Sequence, residues 1–271
     1  MGKIQKHAAN FFRIFTIFFL SLPLIAQQST ASKQVSIFTI EAPQLQTKKT
    51  IQIWLPENYS ESKKKFAVIY MHDAQNLFDK NTSYVGEWNV DETLDSLNAQ
   101  VIVVGIDHGN EKRLDELTPY PNEKYGGGKA DNYLQFIVET LKPHIDKTYR
   151  TKANARNTAI FGSSLGGLVS YYALLKYPKV FGKTGVFSPS FWFSDDIYTL
   201  TKNTAKIKSK IYLLAGDSES ESMAGDMVKM TMLVNSKLRN KNHVRSVIIN
   251  GGQHNEKLWR DSFAKAYLWL M

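Results

Sequence analysis

The chain has 271 residues, with 34 Lys and Arg against 25 Asp and Glu, six His and no Cys, for a formal net charge of +9. The lack of cysteine excludes disulfides, a thiolate nucleophile, Cys-ligated zinc, iron–sulfur clusters and a lipid-modified N-terminal Cys. At 43% hydrophobic and 22% charged residues, the composition is that of a folded domain with an ample core, not of a disordered or fibrous chain.

In chain order, residues 1–26 stand apart. Lys3, Lys6 and Arg13 form a basic start, and Ile14 to Ala26 is an apolar run broken by Ser21 and Pro23. Ala26 before Gln27-Gln28 supplies a small residue at a cleavage point. This pattern predicts a secretory signal peptide, with residues 27–271 as one mature domain in the periplasm or outside the cell. The run is short for a membrane span of about 20 residues; an uncleaved N-terminal anchor is the alternative. Cleavage leaves 31 basic against 25 acidic residues, or +6. The remaining lysines cluster in apparent loops, as at Lys48-Lys49 and Lys63-Lys64-Lys65. No basic helix with interleaved aromatics is present, so no nucleic-acid partner is expected. Neither is a further membrane span.

Apolar, β-branched runs predict strands at Gln34–Ile40, Thr50–Leu55, Phe66–Met71, Val101–Ile106, Thr158–Phe161, Lys183–Phe187, Lys210–Leu214 and Val244–Ile249. Helical faces are marked by Leu134, Ile137, Val138 and Leu141; by Met227, Met230, Val234 and Leu238; and by Phe263, Tyr267 and Leu270. The first two strands read as a hairpin. Beyond them strand alternates with helix, which predicts a mostly parallel α/β sheet of about eight strands covered on both faces. A site is then expected at the C-terminal strand ends. The stretch from His108 to Lys129, with Pro119, Pro121 and Gly126-Gly127-Gly128, reads as a long irregular loop of the kind that often carries function.

Four places along this frame suggest chemistry. The loop after the third strand runs His72-Asp73-Ala74-Gln75-Asn76. A backbone N–H near Ala74 is a candidate oxyanion donor, and Gln75 a candidate pocket residue. Gly162-Ser163-Ser164-Leu165-Gly166 fits G-x-S-x-G between a short strand and a helix pattern that runs on to Lys176. That setting is a nucleophile elbow, with Ser164 raised at a helix N-terminus and the Leu165 N–H as the first oxyanion donor. Asp217, Glu219 and Glu221 follow the seventh predicted strand; Glu219 is the first choice of acid, ahead of Asp217 and then Glu221. His254 follows the last strand, in Gly251-Gly252-Gln253-His254, where the topology faces it toward the elbow. His7 lies in the signal segment, His144 sits on or near a helix and His243 precedes a strand. His72 and His108 follow strands that come before the elbow. The order Ser164, acid, His254 is that of a serine hydrolase, in which the histidine takes the serine proton and the acid fixes its tautomer. No HExxH or comparable ligand spacing is present, so neither a metal nor another cofactor is implied.

The sequence resembles the serine esterases of the α/β-hydrolase superfamily, a group that includes siderophore esterases, esterase D and feruloyl and acetyl-xylan carbohydrate esterases. The resemblance starts near residue 35 and runs to the C-terminus. It rests on Tyr70–Phe78, Val103–Asp107, Gly162–Gly167, Ser188-Pro189-Ser190-Phe191-Trp192, Ala215–Glu219 and Gly252–Glu256 leading to Trp259. It implies an α/β-hydrolase fold and cofactor-free hydrolysis of carboxylic esters, with small-molecule or oligosaccharide esters as substrates. In that pattern the acid stands three residues after Gly216, which is Glu219. Ala74 stands where the family usually has glycine. Phe191 and Trp192 are candidate pocket walls for a sugar or aryl group. An acyltransferase, or a non-catalytic binding protein on the same fold, fits the sequence less well. Oligomeric state is left open.

Overall fold

A computed structural model describes residue 2, residues 28–84 and residues 86–271. The expected signal segment therefore lies outside the described residues. Eight strands form one sheet in the order β1-β2-β4-β3-β7-β8-β9-β10. β1 (Val35–Ala42) and β2 (Thr47–Trp54) make the expected hairpin, joined by a 3-10 turn at Pro43–Leu45. β2 runs antiparallel to β4 (Val101–Ile106), and from β4 onward every pairing is parallel, through β3 (Ala67–His72) and β7 (Thr158–Ser163). β8 (Lys183–Phe187), β9 (Lys210–Gly216) and β10 (Val244–Ile249) complete the sheet. Between β4 and β7, β5 (Pro121–Asn122) and β6 (Gly126–Gly127) form a small separate hairpin.

Side chains alternate between faces along a strand, and the central strands are buried on both. Val68, Tyr70, Ile160, Leu213 and Ala215 point into one core. Ile69, Met71, Ala159, Phe161, Tyr212 and Leu214 point into the other. The second core is closed by α1 (Val90–Ser96) and α8 (Glu256–Leu270). The first is covered by α2 (Arg113–Leu117), α3 (Ala130–Gln135), α4 (Lys142–Thr148), α5 (Leu165–Lys176), α6 (Asp196–Asn203) and α7 (Met223–Lys237). This is the α/β-hydrolase architecture. Among the described residues no helix is long and apolar enough to cross a membrane.

Three local expectations change. His108–Lys129 is not irregular: it holds a 3-10 turn at Asn110–Lys112, then α2, then the β5–β6 hairpin. The Leu134–Leu141 face is not one α-helix, because a π-helical turn at Phe136–Leu141 links α3 to α4. Leu238 falls just beyond α7, where it bridges to Ile207.

Candidate active site

β7 ends at Ser163 and α5 begins at Leu165, so one residue makes the turn. That residue, Ser164, has φ 55° and ψ −122°, a conformation that costs a side-chain-bearing residue of order 1–3 kcal/mol. The fold around it holds the turn. Ser164 N–H donates to Phe187 O at 2.9 Å, while Ser164 O accepts from Ser190 N–H at 3.1 Å and Leu168 N–H at 3.0 Å. Backbone crowding explains the flanking glycines. A Cβ on Gly162 would lie 2.6 Å from the Gly166 carbonyl, and one on Gly167 would lie 2.9 Å from Phe187 O. Leu165, as the first residue of α5, has an N–H with no intrahelical acceptor. Ala74 opens the 3-10 turn after β3, the strand beside β7, and is fully buried.

The acid and the histidine meet two and three strands further along the same sheet edge, after β9 and β10. His254 Nδ1 lies 2.7 Å from Glu219 Oε2. A carboxylate only accepts, so Nδ1 carries the proton and Nε2 keeps its lone pair. The Glu219 side chain is 1% exposed and that of His254 36%. The other carboxylate oxygen, Oε1, accepts from Gly216 N–H and from Ser188 Oγ–H, both at 2.6 Å. Ser188 in turn accepts the Trp259 indole N–H at 2.7 Å. The Trp259 ring also stands edge-on to His254, with centroids 5.2 Å apart. Thus β8, β9 and α8 all fix one carboxylate. Among the described residues Ser164 Oγ has one hydrogen-bond partner, Ser190 Oγ at 3.3 Å. Catalytic hydrogen bonds are often long before substrate binds.

The other acids and histidines have different partners. Asp217 Oδ1 accepts from Gly251 N–H at 2.8 Å, tying the β9 loop to the β10 loop. Glu221 is exposed. At the start of α7, Ser220 Oγ accepts Met223 N–H. His72 is buried against the Tyr133 hydroxyl at 2.8 Å, and burial lowers its pKa to about 4, leaving it neutral. His108 accepts Asn110 N–H, His144 lies tilted against Phe38, and half-buried His243 meets Lys208 O. Only His254 has a carboxylate partner among the described residues.

Two pocket expectations are corrected. Phe191 is fully buried between Tyr171 and Tyr198, at centroid distances of 5.4 and 6.1 Å, and belongs to the core. Gln75 is spent on structure: its amide donates to His108 O and accepts His108 N–H. It does border an open groove of about 810 Å³ with Lys49, Asp107, His108 and Glu116, but Ser164 does not line that groove. Trp192 is half exposed and packs edge-on against Tyr125.

Spacing gave no chemical reason to single out Ser188, Ser190 or Trp259. It also missed Asp73 and Arg113, which pair through two hydrogen bonds of 2.7 and 2.9 Å. Burial pushes Asp73 up, but the Arg113 charge and hydrogen bonds outweigh it and hold the carboxyl below its usual range. A Cβ on Gly166 would lie 3.4 Å from Asp73 Oδ2, so this pair sits directly beside the elbow.

Residues 42–270 match the model of a family described as "Putative esterase". The chain belongs to this family. The esterase is 28% identical over 232 residues to the uncharacterized protein YbbA of Bacillus subtilis, covering 80% of this chain and 90% of that one. It is 28% identical to the ferri-bacillibactin esterase BesA of the same organism, over 57% of this chain and 60% of BesA. An IroE-like serine hydrolase from Shewanella oneidensis superposes with a TM-score of 0.70 at 21% identity, covering 86% of this chain and 78% of that one. The protein is a carboxylic ester hydrolase of the α/β-hydrolase fold.

Proposed function

We propose that the esterase is an exported serine hydrolase that cleaves acyl-carbohydrate, feruloyl or siderophore-type esters through Ser164, His254 and Glu219. The observation that carries this reading is the 2.7 Å contact between His254 Nδ1 and a Glu219 carboxylate held by two further donors. Such a contact leaves Nε2 as the base. On this reading substrate binding turns the Ser164 hydroxyl from Ser190 toward His254 Nε2. Ser164 Oγ gives its proton to Nε2 and adds to the ester carbonyl. The Leu165 and Ala74 N–H groups receive the developing oxyanion, with Leu165 at the positive end of α5. His254 returns the proton to the leaving alcohol, and a water activated by the same Nε2 then releases the acid from the acyl-enzyme. Trp192, edge-on to Tyr125, is the aromatic wall open to an acyl or sugar ring.

The test is Ser164→Ala. Its hydrolysis of a p-nitrophenyl ester should fall about 10⁵–10⁶-fold, with loss of labelling by a fluorophosphonate probe. A wild-type rate in the variant refutes the nucleophile. A panel of acetylated sugars, feruloyl esters and siderophore lactones then ranks substrates. Export is tested by the mass of protein recovered outside the cytoplasm, expected to begin at Gln27.

A further inference from the structure

Three carboxylates converge beside α1 and take no part in the chemistry above. Glu87 precedes the helix, and Asp91 and Glu92 lie in its first turn. One oxygen of each lies within 4.8 Å of the others. Acidic residues favour the first turn of any helix, so convergence alone says little. Their burial says more. Asp91 is fully buried and Glu87 is 6% exposed. Asp91 Oδ2 accepts Ser32 N–H at 2.7 Å, yet Asp91 Oδ1, Glu87 Oε1 and Glu92 Oε2 are each buried with no N–H or hydroxyl donor among the described residues, and the Asp91 and Glu92 carboxyls lie within hydrogen-bonding reach of each other. No ion pair among those residues reaches these three acids. The Arg260 guanidinium donates to the Glu87 main-chain oxygen at 2.7 Å. Thr30 Oγ1 touches Glu87 Oε2 only at 3.5 Å, and Asp79, bound to Ser29 and Thr30, adds further negative charge. Buried charges in proteins are normally paired or bound to metal.

We propose that Glu87, Asp91 and Glu92 bind one hard divalent cation, Ca²⁺ in preference to Mg²⁺. An all-carboxylate oxygen set selects hard cations over softer metals. Three protein carboxylates suit Ca²⁺, which takes flexible carboxylate-rich oxygen shells at about 2.3–2.6 Å, whereas Mg²⁺ keeps several waters and takes one or two carboxylates. Without a cation the cluster must hold protons. The cation has a structural consequence. It ties the Ser29–Ser32 strap, bonded to Asp79 and Asp91, to α1. It also stiffens Trp88, next to Glu87, whose ring packs on Trp259 at 5.6 Å.

The test uses the full mature chain, stripped with EDTA and titrated with CaCl₂ by calorimetry at about pH 7.5. One Ca²⁺ per chain is expected, with Tm raised by about 5 °C at a hundred times the dissociation constant. MgCl₂ should bind at least tenfold more weakly. Lowering the pH to about 5.5 should weaken Ca²⁺ binding, because the carboxylates must release protons to bind it. Glu92→Gln, and separately Glu87→Gln, should weaken binding at least tenfold. Both are checked for folding by circular dichroism. Absence of heat and of a Tm shift in the wild type up to about 10 mM CaCl₂ overturns the proposal and leaves the cluster as a proton-sharing one. Undiminished binding in both folded variants overturns it too, by placing the ion elsewhere.

Discussion

Glu219→Gln keeps the shape of the side chain and removes its charge, and the surrounding network fixes which way the amide must face. Oε1 accepts two donors, Gly216 N–H and Ser188 Oγ–H. The Gly216 N–H can only donate, so it demands an acceptor at that position. An amide nitrogen can accept from neither donor, so the glutamine oxygen must take the Oε1 position. Its NH₂ group then faces His254 Nδ1. That nitrogen becomes an acceptor, the imidazole proton moves to Nε2, and Nε2 can no longer take a proton from Ser164. A histidine trapped in the wrong tautomer costs about 10⁴-fold in kcat, or about 5.4 kcal/mol at 1.36 kcal/mol per decade. The assay is steady-state hydrolysis of p-nitrophenyl acetate with a melting curve on the same sample. Asp217→Asn is the control. Its side chain can still accept Gly251 N–H, so kcat/KM should stay within about threefold of wild type. A folded Glu219→Gln enzyme within tenfold of wild type refutes the reasoning, and a large loss in Asp217→Asn instead would name the other acid.

Three more outcomes follow from the structure. Ser164→Gly relieves the φ 55°, ψ −122° conformation and should raise Tm by about 2–4 °C, for about 1 kcal/mol, while abolishing activity; an unchanged or lower Tm means the elbow stores no strain. His243→Ala removes one exposed contact, to Lys208 O, so kcat/KM should stay within about twofold and stability should fall by less than about 1 kcal/mol; loss of activity in the folded variant would mean that the base is misassigned. His72 is neutral in the fold, lowered by burial from 6.5 to about 4. Between those values the unfolded chain binds the proton and the native chain does not, so stability drops as pH falls from about 6.5 to 4, by about 3 kcal/mol. Glu87 and Asp91, both raised by burial, oppose this, because native carboxylates that hold protons are favoured as pH falls. The difference between wild-type and His72→Gln melting curves across that range isolates His72, and a pH-independent difference would sink the assignment.

Much of the frame was legible because its signals are local. Val101–Ile106 and Lys183–Phe187 are legible to the residue because buried parallel strands are short apolar runs bounded by turn residues, and the edge strand Val244–Ile249 is legible from its β-branched residues. The elbow was legible for the same reason, since only glycine fits at Gly162 and Gly167. The errors around the site are errors of side-chain direction and loop shape. Phe191 and Trp192 are adjacent aromatics in one 3-10 turn, and nothing in their order says which faces the core. The His108–Lys129 stretch is punctuated by proline and glycine, which hid α2 and with it Arg113. The π-helical turn at Phe136–Leu141 has no sequence signature distinct from an α-helix.

The sequence by itself determined the sheet, its parallel run, the place of Ser164 at a strand-to-helix turn, and the order in which serine, acids and histidine arrive at one sheet edge. These depend on period-2 burial, on steric limits at glycine and on chain direction, all of which are written within a few residues. Only the tertiary structure decided which acid meets His254, because Asp217, Glu219 and Glu221 differ by two residues each and a loop's path selects among them. It alone brought Ser188 and Trp259, 71 residues apart, onto the carboxylate, set Arg113 on Asp73, and gathered three carboxylates beneath the N-terminal strap. Those contacts join segments whose separation in sequence carries no trace of their closeness in space.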